Sequence, residues 1–360
     1  MSKFISLFLL VSAITCSAQK IKVIVDQDAR GPGTSDQQAI LVFLQSEKFN
    51  VLGITTVSGD QWMKEETQHV LRLEEIAHRT DVPVIEGAEF PLLNSKEESE
   101  RWEAMYGKLE YKGCWTDRFE PNRSTIYDEP YHAPDVVPPM KEGAPSIKAA
   151  PGAAAEFIVN MVHKYPGQVV LWAGGPLTNY ALALKLDPEV ATLAKEFVLM
   201  GGGLYAHDGA IDPGAIDSRR EFNWWFDPEA ARIVLRAPWK KLTITPIDIS
   251  VKTRYTAAMK AEIAKANTPI TQYLDKYSLP GYMWDEIAGA ALMDPSIITG
   301  QKQLYMDIDV DHGASYGKTL FWDSKATVPP YLHLANVQFD IDAQKFYKLY
   351  IDLMTRPPRP

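Results

Sequence analysis

The fold of this chain is decided by Lys22-Val23-Ile24-Val25-Asp26-Gln27-Asp28 and the residues after it, Ala29-Arg30-Gly31-Pro32-Gly33-Thr34-Ser35-Asp36. The β-branched run predicts a buried strand, and the Gly/Pro-rich stretch a loop. Gln37 to Leu44 is apolar enough to read as the buried face of a helix. Strand, glycine-rich loop and helix is the layout in which an open α/β sheet builds its ligand site beyond the strand ends. Three carboxylates fall here within eleven residues. Asp26 and Asp28 share a strand face if the strand persists through Asp28. Asp36 stands at the helix start, with Ser35 available as an N-cap. Like charges this close repel, so a proton or a cation must lie between them. Hard oxygen ligands suit Ca²⁺ or Mg²⁺ better than Zn²⁺. A capping aspartate beside a solvated loop has the same spacing, so the choice rests on the remainder of the chain.

At 360 residues and 46% hydrophobic, the chain can bury a large core. A formal charge of −9 argues against nucleic-acid binding, which needs a basic face. Lys3, the apolar run Phe4 to Val11 and the sequence Cys16-Ser17-Ala18-Gln19 read as a secretory signal peptide over residues 1–18, cleaved after Ala18. The product is then exported, to the periplasm or the medium. Cys16 as a lipoprotein cysteine is the less favoured alternative, because Thr15 precedes it. Cleavage leaves Cys114 as the sole cysteine and no intramolecular disulfide. No later segment is long and apolar enough to span a membrane.

Beyond the first helix, Val51 to Val57 is a predicted strand ending at Ser58-Gly59-Asp60, Met63 to His78 a helix, and Val82 to Ile85 a strand. Strands and helices in alternation imply right-handed crossovers and a mostly parallel sheet with helices on both faces. Glu89 to Pro151, rich in charge, aromatics and proline, interrupts this rhythm. It is expected to be an insertion over one end of the sheet, carrying Trp102 and Trp115. Regularity returns with a helix from Ala153 and strands at Val169 to Trp172, Phe197 to Met200 and Leu242 to Ile247. Residues 19–360 are expected to form one domain.

Asp26, Asp28, Asp36, Asp60, Thr178, Glu221, Asn223 and Asp285 all fall at predicted strand ends or helix starts. That side of an open sheet is where such folds place chemistry. A GxSxG elbow, a P-loop, a GxGxxG turn after the first strand and an HExxH helix are absent, so the acidic set is the chemistry on offer.

These motifs resemble the inosine–uridine-preferring nucleoside hydrolase family. Its opening Asp-x-Asp-Pro-Gly-x-Asp-Asp loop corresponds to Asp26-Gln27-Asp28, a longer loop, and Ser35-Asp36. The likeness continues through Leu52-Gly53-Ile54-Thr55-Thr56-Val57, Asp81-Val82-Pro83-Val84, Gly175-Pro176-Leu177-Thr178-Asn179, Val198-Leu199-Met200-Gly201-Gly202, Glu221-Phe222-Asn223 and Trp284-Asp285. The resemblance implies one Ca²⁺ and hydrolysis of the N-glycosidic bond of ribonucleosides, a step of nucleoside salvage. It makes Asp28, Asp36 and Asp285 the carboxylate ligands, with the Thr178 main-chain carbonyl completing the set, and Asp28 the base that takes a proton from water. Asp60, Glu221 and Asn223 match positions that hold ribose hydroxyls, and Met200 one that lines the sugar pocket. Family members are commonly dimers or tetramers, which makes a homodimer or homotetramer the expectation.

The departures are equally specific. Counting back from Gly53 without gaps puts Asp36 at the metal position and Ser35 where the family has a ribose-gripping aspartate. The first loop is about three residues longer, so Thr34 or Arg30 can intrude. The asparagine expected shortly before Glu221 is missing; Asp208, Asp212 and Asp217 occupy that excursion. Trp284 stands where pyrimidine-tolerant members carry a histidine, as in the purine-preferring branch. There the base stacks between tryptophans, and Trp284 with Trp115 is the expected pair, Trp115 being preferred over Trp102. Two alternatives stay open: an N-glycoside hydrolase with another sugar, and a non-catalytic nucleoside- or sugar-binding protein of the same fold.

Overall fold

The computed structural model describes residues 19–109, 111–116, 131–204, 215–217 and 220–358. The expected signal peptide, and Asp208 and Asp212, lie outside the described residues, and of Asp217 only the backbone is described. A nine-stranded sheet is formed by β1 (Ile21–Gln27), β2 (Phe49–Thr56), β3 (Val84–Ile85), β4 (Val169–Ala173), β5 (Glu196–Met200), β6 (Leu242–Thr245), β7 (Ile298–Ile308), β8 (Thr319–Asp323) and β9 (Leu334–Ile341). Their order across the sheet is β8-β7-β9-β6-β5-β4-β1-β2-β3. The pairings from β3 across to β9 are parallel, and β7 runs antiparallel to both β9 and β8. The chain winds outward from β1 to β3 on one side and from β4 to β6 on the other. The switch between the two directions therefore lies between β1 and β4, whose C-terminal ends flank the crevice where such sheets take ligands.

Strand alternation sorts the core onto two faces. Val23 and Val25 pack on one side with helices α1 (Ser35–Gln45), α8 (Asp285–Met293) and α9 (Ala343–Thr355). Ile24 packs on the other with α4 (Ala154–Lys164), α5 (Thr178–Leu186) and α7 (Pro228–Leu235). Asp36 to Gln45 of α1 are all buried, because the helix is enclosed by the sheet, α8 and α9. Polar residues enter this core only through specific bonds, such as Gln38 to Tyr350.

Two local expectations change. Strand β1 ends at Gln27, so its alternation does not carry Asp26 and Asp28 onto one face. Asp26 instead accepts from Thr55 Oγ1 (2.5 Å) and Asn179 Nδ2 (2.7 Å), and burial raises its pKa to about 7. It ties β1 to β2 and α5 through Oδ2, while its Oδ1 is buried without a hydrogen-bond partner. The N-cap of α1 is Thr34, and Ser35 is its first helical residue.

After α2 (Met63–Ile76), the described part of the insertion contains α3 (Lys96–Tyr106) and a 3₁₀ turn, Gly113–Trp115. It joins the sheet through a cluster of Trp62, Leu109, Tyr111, Trp115, Phe222, Trp225 and Phe226. Part of that cluster comes from the short helix α6 (Phe222–Phe226). Among the described residues, no helix is long and apolar enough to cross a membrane.

Candidate active site

The site is built where β1, the loop after β2, and the N-termini of α1 and α8 meet. Asp28 follows β1, and two glycines make room for it. A Cβ at Gly59 would lie 2.2 Å from Asp28 Oδ2, and one at Gly175 would lie 2.7 Å from its Oδ1. Asp28 Oδ2 also accepts from the Asp60 main-chain N–H at 3.1 Å. The carboxyl groups of Asp36 and Asp285 lie within reach of one another, so a proton or a cation must lie between them. Each sits in the first turn of its helix, where the helix dipole favours negative charge. Asp285 Oδ2 accepts from Gln27 Nε2 at 3.0 Å, while Oδ1 is buried without a hydrogen-bond partner.

Burial raises the pKa of Asp28, Asp36 and Asp285 well above the carboxylate range. Repulsion adds to this: Asp60, Asp36, Glu66 and Asp285 act on Asp28; Asp60 and Asp285 on Asp36; Glu286 and Asp60 on Asp285. Buried Glu66 and Glu286 stand behind them, each with an unpartnered Oε2. This much desolvated acid is costly unless protonated or neutralised by a cation. The donor set is all oxygen, and one carboxylate oxygen among it is unsatisfied. It therefore fits a hard divalent cation.

Convergence is nonetheless incomplete. Among the described residues, the trio whose candidate ligand atoms all lie within 4.8 Å of one another is His163, Asp187 and Glu189. That group lies at the surface, with Asp187 already bonded to His163 Nε2 (2.5 Å) and the Glu189 N–H (2.9 Å). Asp36 and Asp285 touch and Asp28 stands further off.

The remaining predicted residues separate clearly. Glu221 caps α6, accepting from the N–H groups of Asn223 (2.8 Å), Gly202 (2.9 Å) and Trp224 (3.2 Å), and burial raises its pKa to about 7. Asn223 donates to the Gly174 carbonyl at 2.8 Å and lies 3.5 Å from Met200 Sδ, so Glu221, Asn223 and Met200 form one wall. Half-buried Ser35 donates to Asp36 Oδ1 at 3.2 Å. Half-buried Trp284 precedes α8, with Tyr282 5.4 Å away between ring centroids.

Two expectations need correction. Trp115 is buried, and its ring stacks on Phe226 at 4.3 Å, so the face expected for a base is taken by a core neighbour. Thr178 opens α5, where a main-chain carbonyl enters the helix's own amide ladder, and its hydroxyl donates to Asp227 Oδ2 at 2.7 Å. The carbonyl that sits in the site is that of Gly174, at the end of β4 and one turn earlier in sequence. It is held where its own N–H donates to the Asp26 carbonyl.

The lengthened first loop brings in both residues expected to intrude, Thr34 and Arg30. Thr34 Oγ1 donates to Asp36 Oδ2 at 3.1 Å, and buried Arg30 lies close enough to Asp60 to oppose the rise that burial gives its pKa. The loop is pinned from outside. Gly31 packs on His69 and donates to Gln61 Oε1 (3.1 Å), Gln61 donates to Glu65 (2.7 Å), and Gly33 donates to Tyr273 Oη (2.8 Å). His69 pairs with Glu142, and with Glu65 at 3.8 Å. Burial alone would depress the His69 pKa, but the two carboxylates prevail and raise it to about 9 from 6.5. A raised histidine pKa stabilises fully below the unfolded value and loses that contribution as pH climbs through the folded one. The wild-type melting temperature should therefore drop between pH 6.5 and about 9 more steeply than that of His69→Gln. Parallel profiles would remove His69 from that role.

With this geometry in place, the sequence profile described as "Inosine-uridine preferring nucleoside hydrolase" matches residues 23–348. The chain belongs to this family. A probable uridine nucleosidase 2 of Arabidopsis thaliana is 34% identical over 284 residues, covering 77% of this chain and 76% of that one. An inosine-uridine preferring nucleoside hydrolase of Leishmania major is 27% identical over 348 residues, covering 93% and 98%. A purine-preferring ribonucleoside hydrolase structure from Gardnerella vaginalis superposes with a TM-score of 0.71 at 23% identity, covering 93% and 98%. That last likeness is one of fold alone. The chemistry of the nucleoside hydrolase family is hydrolysis of the N-glycosidic bond of nucleosides.

Proposed function

We propose that this nucleoside hydrolase is an exported, Ca²⁺-dependent enzyme that prefers purine ribonucleosides. The observation that carries the proposal is the meeting of Asp28, Asp36, Asp60 and Asp285, desolvated and mutually repelling, at the switch point of the sheet. Asp28, Asp36 and Asp285 would hold the ion, with the Gly174 carbonyl as the main-chain oxygen in place of that of Thr178. When bound, Ca²⁺ would polarise water and lower its pKa, though less than Zn²⁺ does.

Asp28 then acts as general base, accepting the proton of the attacking water. Water adds at the anomeric carbon as the bond to the base breaks, so a single displacement inverts the configuration, as in inverting glycoside hydrolysis. Asp60, Glu221 and Asn223 orient the ribose, Met200 lines it, and Ser35 supplies a neutral contact where a charged one is usual. The alternative of another sugar rests on that serine and on Arg30. Export leaves a chain beginning at Gln19, and the oligomer proposed is a homodimer or homotetramer.

Purified protein stripped with chelator is expected to release no free base from inosine, adenosine, guanosine, uridine or cytidine, and to do so once Ca²⁺ is restored. Equal hydrolysis before and after restoration would refute the metal dependence. Release from N-glycosides of other sugars but not from ribonucleosides would select the alternative.

A further inference from the structure

The inserted segment reaches the acidic crevice through Tyr111, a side chain that no motif singles out. Its phenolic O–H donates to Asp60 Oδ1 at 2.6 Å, and its ring packs on Phe222 with centroids 4.8 Å apart. The backbone around it is fixed to the same loop. Cys114 N–H donates to the Gly59 carbonyl at 2.9 Å, and a Cβ at Gly113 would lie 2.2 Å from that oxygen. On the other side, Lys112 N–H bonds Thr116 Oγ1 (3.1 Å) and Leu109 N–H bonds Glu103 Oε1 (2.9 Å). Asp60 is thus held at two points, its side chain by Tyr111 and its main chain by Asp28, to which its N–H donates at 3.1 Å.

We infer that Tyr111 is a positioning residue for substrate binding: it fixes the rotation of the Asp60 carboxylate so that the remaining lone pairs meet the ribose hydroxyls. This rests on the role proposed above for Asp60. A carboxylate has about four acceptor sites, so one phenol locks its orientation while leaving acceptors for substrate. A side chain already held in its binding geometry does not lose that freedom when ligand arrives. The inserted segment therefore contributes to affinity without touching the reacting atoms.

Tyr111→Phe removes one oxygen and keeps the ring on Phe222. In the Ca²⁺-loaded enzyme it should raise KM for inosine about tenfold, the loss expected for a hydrogen bond to a charged group, and leave kcat within about threefold. Its melting temperature should match wild type. In an Asp60→Asn background the same substitution should change KM little, because the group it orients is gone. Unchanged KM for Tyr111→Phe, a fall in kcat alone, or full additivity with Asp60→Asn would each overturn the inference. If the phenylalanine variant melts early, Tyr111→His and Tyr111→Ala decide. A lower KM for histidine, which keeps a ring donor, supports the inference, and equal values overturn it. Should wild type bind inosine without hydrolysing it, calorimetric Kd replaces KM. The proposed function then fails, while a weaker Kd for Tyr111→Phe still sustains this inference.

Discussion

Asp28→Asn lowers kcat for inosine by at least ~10²-fold, the typical cost of losing a positioned general base, and leaves the protein folded. Asparagine has the same shape, so the space left by Gly59 and Gly175 still accommodates it, and its oxygen can still accept from the Asp60 N–H. What it cannot do is take a proton from water. Removing a buried acid whose pKa burial and four neighbouring carboxyls raise also relieves repulsion, so the melting temperature should hold or rise. Stopped assays of free base, read beside thermal melts, check both expectations. A folded variant with wild-type turnover would take Asp28 out of the reaction.

Inosine, adenosine and guanosine should exceed uridine and cytidine in kcat/KM by more than ~10²-fold, a gap of roughly 2.7 kcal/mol in transition-state binding. A tryptophan occupies position 284, so no histidine there protonates a departing pyrimidine. Of the described histidines, His69, His132, His163 and His312 pair with carboxylates. A purine can instead accept a proton at N7 while its ring lies on the electron-rich indole. Trp284→Ala should close most of the gap through kcat, because stacking counts most once the base carries charge. The uridine nucleosidase relative makes the opposite outcome concrete: comparable rates on uridine and inosine would overturn the purine assignment and leave the family membership standing.

What the sequence made legible follows from how local each signal is. Asp28, Asp36, Asp60, Glu221, Asn223 and Asp285 lie in short motifs at element ends, and a parallel sheet carries all of those ends to one side. Trp115 was misplaced because its partners, Trp225 and Phe226, arrive from more than a hundred residues away, and only the fold shows that they cover its ring. Thr178 and Gly174 are one turn apart in a single motif. Choosing between their carbonyls needs the start of α5, a boundary that periodicity does not fix to the residue. Gln27 and Tyr111 carried no signal, since their roles depend on where β1 ends and how an irregular segment docks, whereas the length of the first loop did point to Arg30. Buried Glu66 and Glu286, which belong to no motif, add to the acid that a cation would offset.

The most direct test of the account is a calorimetric titration of Ca²⁺ into chelator-stripped protein, repeated with Asp36→Ala and Asp285→Ala. One Ca²⁺ per chain in the wild type, with binding abolished in both variants, is the predicted result. No binding in the wild type, or unchanged affinity in either variant, would contradict it.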